Sequence, residues 1–105
     1  MRVYQTKELP AAYEHAAQGG QSLHLMSGRF AYLRKDTPSC FKGRGQIAHL
    51  FDQDTSRLAA TARRFGVRII KVERQGERGQ HIDLCGKPLE RALAEAQAAT
   101  VTTGV

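Results

Sequence analysis

Between residues 47 and 96 the spacing of apolar side chains switches from the period of a strand to that of a helix and back, and this constrains the fold most. Ile47-Ala48-His49-Leu50-Phe51 is a short apolar run suited to a strand. Leu58, Ala62 and Phe65 then recur at i, i+4 and i+7, one stripe of a helix. Asp54 or Thr55 stands where that helix wants an N-cap, and Gly66 where it should end. Val67 to Glu73, rich in β-branched residues, reads as another strand, 75–79 as a turn, and Gln80 to Leu84 as a hairpin partner. Pro88 opens a last helix that buries Leu89, Ala92, Leu93 and Ala96 and sets Arg91 and Glu95 as an i, i+4 pair.

The first half repeats the order. Arg2 to Gln5 suits a short strand, and Leu9-Pro10 opens a helix with proline where its missing N–H costs nothing. Gly19-Gly20 stops that helix, Ser22 to Met26 follows as a strand, and Ser27-Gly28 turns the chain into a hairpin partner over 29–33. Both halves, 2–33 and 47–84, therefore read strand–helix–strand–strand, although identities between them are too few to claim duplication. The expected class is α/β (α+β): one domain over 1–98, a mixed sheet, and two or three helices mainly on one face. Within it, 1–34 is a variable strand–helix–hairpin, 35–45 a basic loop, 46–98 the core unit and 99–105 a frayed tail.

Composition narrows the function classes. With 41% hydrophobic and 25% charged residues in 105, the chain is long enough and mixed enough to bury a core. No apolar run approaches the ~20 residues of a membrane span, and no leader-like apolar core opens the chain, so a cytoplasmic location without membrane is expected. Cys40 and Cys85 form no disulfide framework and would be thiols in a reducing compartment. The net charge of +6 is concentrated in Arg29, Arg34, Lys35, Lys42 and Arg44 and again in Arg57, Arg63, Arg64, Arg68, Lys71, Arg74 and Arg78. Arginine-rich clusters suit phosphate, so nucleic acid or another anionic ligand is the expected partner. A protein partner or a homo-oligomer is compatible with the same composition.

The residues able to do chemistry gather late in the chain. On an extended strand, His81, Asp83 and Cys85 share a face, and Ile82 and Leu84 take the other. His49 shares a face with Ile47 and Phe51, and joins His81 only if the two strands are neighbours. Lys87, before Pro88, stands at a helix start whose free N–H groups favour a phosphate or carboxylate. His15 and His24 read as fillers of surface or core. A zinc set of Cys40, His49, His81 and Cys85 can be written, but its spacings match no common knuckle, and neither metal nor cofactor is expected. Cys85 near a helix start could serve as a nucleophile, yet no glycine-framed elbow accompanies it. No P-loop and no dinucleotide fingerprint is present.

Gly43-Arg44, the His49-Leu50-Phe51 strand with Asp54-Thr55 after it, the helix ending Arg64-Phe65-Gly66-Val67, and then His81-Ile82-Asp83 with Lys87 resemble an uncharacterised bacterial and phage family, domain of unknown function 4031. The resemblance covers residues 43 to about 98 and implies Arg44, His49, His81, Asp83 and Lys87 as the polar positions. Two departures stand out. The family opens V-Y-V-D-D, whereas here Val3-Tyr4 is followed by Gln5-Thr6, and the aromatic expected after His81 is Ile82. If the missing aspartates carry activity in the family, that activity is in doubt here.

Three functions fit these observations. The first is a basic binding domain for a phosphate-bearing ligand, with nucleic acid favoured by the charge, Lys42, Arg44, Arg63, Arg64 and Lys87 on phosphates and Tyr32 or Phe41 stacking on a base. The second is a small phosphoester-handling enzyme in which His49 and His81 act as acid and base, Asp83 orients an imidazole and Lys87 stabilises charge. The third is a protein-interaction module of a phage or mobile element.

Overall fold

Leu23, Leu25, Ala48, Leu50, Ile82 and Leu84 each alternate with neighbours of the opposite face, and together they line one side of a four-stranded sheet. The structure, a computed structural model, describes residues 1–29 and 44–103, and for 27–29, 44–45 and 98–103 the backbone alone. Its elements are β1 (Arg2–Tyr4), a 3-10 turn (Thr6–Glu8), α1 (Leu9–Ala17), β2 (Gln21–Arg29), β3 (Arg44–Asp52), α2 (Thr55–Arg64), β4 (His81–Cys85) and α3 (Gly86–Thr103). The sheet order is β1-β2-β3-β4, parallel between β1 and β2 and antiparallel elsewhere. This is the expected mixed-sheet α+β domain.

Helices α2 and α3 cover the apolar face, with Leu58, Ala62 and Phe65 from one and Leu89 and Ala92 from the other. Among the described residues, the opposite face is covered only in part. There α1 sets Ala12 and Ala16 against Tyr4 and Phe51, and Tyr13 meets the Phe51 ring edge-on at 4.9 Å. The rest of that face carries the polar side chains of β3 and β4.

Local chemistry explains the helix ends. The Asp54 side chain accepts from the Arg57 amide at 3.0 Å and so caps α2. Gly66 follows α2 with φ 98°, a left-handed turn that glycine adopts without strain. Arg91 of α3 donates to the Phe65 carbonyl at 3.0 Å, and Glu95 takes Arg64 through both carboxylate oxygens at 2.8 Å. The expected Arg91–Glu95 pair is therefore replaced by two links between helices, because α2 lies alongside and offers better-placed partners.

The structure corrects five expectations. Ser27 and Gly28 do not turn the chain: β2 runs through them to Arg29, because Ser27, Gly28 and Arg29 pair with Gln46, Gly45 and Arg44. The stretch 67–73 is not a strand. Val67, Ile70 and Val72 pack against the core from irregular backbone, and only Glu73 bridges to His81. The last helix starts at Gly86, so Lys87 lies in its first turn and does not precede it, and the helix continues through Thr103 where a frayed tail was expected. Finally, Cys85 is disulfide-bonded and not a thiol, which removes the nucleophile reading. Residues 30–43, with Tyr32, Arg34, Lys35, Cys40, Phe41 and Lys42, lie outside the described residues.

A buried polar knot holds the end of β3 against the start of β4. Asp52 is fully buried and accepts from Arg57 Nε and Nη2 at 2.7 Å each, from the Gln21 amide at 3.0 Å and from the Asp54 N–H at 2.9 Å. Gln80, equally buried, donates to the Asp52 carbonyl at 2.8 Å and accepts from the Gly76 N–H at 2.8 Å. Gln53 donates to the carbonyls of Glu77 and Arg78 at 3.1 and 2.8 Å. These contacts shape the turn that delivers Gly79 and His81.

Candidate functional site

Because β4 alternates, His81 and Asp83 emerge on the partly covered face. Strand β3 lies beside it with His49 opposite Asp83 and Phe51 opposite His81, and β2 places His24 opposite His49. Three side chains thereby meet. His49 Nε2 is 3.5 Å and His81 Nε2 is 3.3 Å from the same oxygen, Asp83 Oδ1. The ring centroids of His49 and His81 are 4.6 Å apart. Among the described residues, no other group of three His, Cys, Asp or Glu side chains brings its ligand atoms within 4.8 Å of one another.

Asp83 Oδ1 and the buried His49 Nδ1 have no hydrogen-bond partner among the described residues. The rings are nevertheless held. His81 Nδ1 lies 2.7 Å from the Gly79 carbonyl, which requires a proton on Nδ1 and, in the neutral ring, leaves the Nε2 lone pair facing Asp83. The His49 ring sits between His24, stacked at 5.7 Å, and His81, with Phe51 at 5.4 Å. His24 in turn donates from Nε2 to the Thr6 carbonyl at 3.1 Å. Exposure rises across the cluster, from 12% for the His81 side chain through 22% for His49 to 36% for Asp83. The carboxylate is the open side.

Burial pushes the His49 pKa down to about 4, against the pull of Asp83 and with the help of His81 and His24. Burial also opposes protonation of His81, but Asp83, the Gly79 carbonyl and Glu73 outweigh it and raise its pKa. The two imidazoles thus sit in environments that push them apart, a pattern concentrated at functional sites.

His49, His81 and Asp83 are brought together. The remaining candidates are not brought to them. Lys87 is exposed on α3, and Arg63 and Arg64 are exposed on α2, both helices packed against the other face. Arg44 starts β3, five residues and about 16 Å of strand from His49; Lys42 lies outside the described residues. His24 and the Gly79 carbonyl are participants that reading the chain missed. The alternation of Ser22, His24 and Met26 with Leu23 and Leu25 was a signal for His24; a backbone carbonyl leaves none.

No family model, no curated protein and no solved structure matches this chain.

Proposed function

We propose that the chain is a small phosphoester-handling domain whose centre is His49, His81 and Asp83. The observation that carries this reading is the approach of two imidazole nitrogens to one carboxylate oxygen, at 3.5 and 3.3 Å, on a sheet face that the described residues cover only in part. Such a point can hold one substrate atom, one proton or one cation between groups that the sheet keeps in place. The net charge of +6 favours a phosphate-bearing substrate over a cationic one. The resemblance of residues 43–98 to the uncharacterised family picks out the same three positions. What it adds, Arg44 and Lys87, would act on parts of a substrate distant from the reacting atom.

Hydrolysis of bis(p-nitrophenyl) phosphate and of short DNA and RNA strands, followed with and without added divalent cations, tests the reading. Turnover should fall at least a hundredfold in H49Q, H81Q and D83N. Absence of turnover on every substrate, or wild-type turnover in a folded H49Q/H81Q double variant, would overturn it.

A further inference from the structure

A carboxylate at the open side of the cluster is the wrong sign for a phosphate. No lysine or arginine side chain described in the structure lies within ion-pair distance of Asp83, whose ion-pair contacts are the two histidines. A cation between them would reconcile the two charges. We infer that His49 Nε2, His81 Nε2 and a carboxylate oxygen of Asp83 bind one divalent transition-metal ion of the Zn2+ class.

The distances favour this. Ligand atoms about 2.1 Å from an ion lie roughly 3.0 Å apart at a right angle and roughly 3.4 Å apart at the tetrahedral angle. The Asp83 oxygen is 3.3 and 3.5 Å from the two nitrogens, and one ligand atom from each of the three residues lies within 4.8 Å of the others, so an ion enters once the side chains close around it. Asp83 Oδ1 is buried without a hydrogen-bond partner among the described residues and so has a lone pair to offer a metal.

The second observation is the carbonyl behind His81. Gly79 accepts from Nδ1 at 2.7 Å, the contact that fixes the tautomer and ring angle of a metal-binding histidine. Gln53 and Gln80 hold that turn through its carbonyls and the Gly76 N–H, so the orienting group is itself positioned. Two imidazoles and one carboxylate are a donor set for a borderline divalent ion, in preference to Mg2+ or Ca2+, which favour all-oxygen sites. Three protein ligands also leave coordination positions open for an exogenous oxygen. That this oxygen belongs to a phosphoester rests on the reading above; the ion itself does not.

Calorimetry with Zn2+ and visible spectroscopy with Co2+ on the chelator-stripped full chain test the site. One ion should bind per chain, with affinity lowered at least tenfold in H49Q, H81Q and D83N and unchanged in H15Q. Imidazole nitrogen resonances of His49 and His81 should move on Zn2+ addition while those of His15 stay. If a histidine variant fails to fold, D83N, which keeps the side-chain volume, and the wild-type resonances decide. No saturable binding, equal affinity in D83N, or shifts confined to other histidines would overturn the proposal. Binding without turnover leaves the metal site standing and removes the phosphoester reading; turnover without saturable metal binding does the reverse.

Discussion

His49 has a folded-state pKa of about 4 against an ordinary 6.5, so protonation favours the unfolded chain. Its contribution to stability is complete above pH 6.5 and is lost as pH falls from 6.5 towards 4. The raised His81 has the opposite sign: its contribution is complete below pH 6.5 and is lost as pH rises through its folded value. The His49 shift is the larger, so the chelated protein should unfold at lower urea at pH 5 than at pH 7.5. H49Q should shrink that difference; an unchanged difference would show that other groups dominate. The Asp52–Arg57 pair offers a second test at this scale. Asp52 is fully buried, whereas the Arg57 side chain is 46% exposed. R57A strands a buried carboxylate and should cost roughly 3 kcal/mol. D52N lets the guanidinium turn to water and should cost about 1–2 kcal/mol. Chemical denaturation of both variants checks the order.

At the scale of elements, the sheet and its two covering helices supply the stability, and the polar links supply alignment. Leu58 is completely buried between α2 and the sheet, so L58A should cost about 2–5 kcal/mol. The Arg64–Glu95 pair joins the same helices with both side chains about half exposed. A double-mutant cycle on it should give less than about 1 kcal/mol and should weaken further in salt. Similar values for the two would mean that the helices are held by charge and not by burial. The stretch 67–73 belongs at this scale too. Its β-branched residues meet the requirement of a strand, but Val67, Ile70 and Val72 pack half-buried against the core without pairing.

For the whole molecule, the net charge of +6 exaggerates the free positive surface. In the basic run, Arg57 pairs with Asp52, Arg64 with Glu95, Lys71 with Glu73, Arg74 with Glu77 and Arg78 with Glu14. Arg63 and Arg68 have no ion pair among the described residues. If the chain binds nucleic acid through this run, affinity should fall steeply with salt, and R63A/R68A should flatten the log–log slope by about 0.9 per lost phosphate contact. R64A should change it less, since Glu95 already neutralises that side chain. Fluorescence anisotropy over a salt series measures both, and an equal effect of the three arginines would remove the distinction.

Alternation along each strand was enough to place His81 with Asp83 on one face, His49 with Phe51 on another strand, and the apolar stripes of α2 and α3 on the core. Those are consequences of backbone geometry within a few residues, and the order of side chains settles them. Which strands lie side by side is a different matter. The register that puts His24, His49 and Asp83 in one row depends on pairing between segments far apart in the chain. It also depends on β2 continuing through Ser27-Gly28, where local turn chemistry argued the opposite, because the ladder with β3 outweighs the turn preference of two residues. The cluster of His49, His81 and Asp83 is therefore a product of tertiary structure: each member was readable singly, and only the packing of the sheet made them meet.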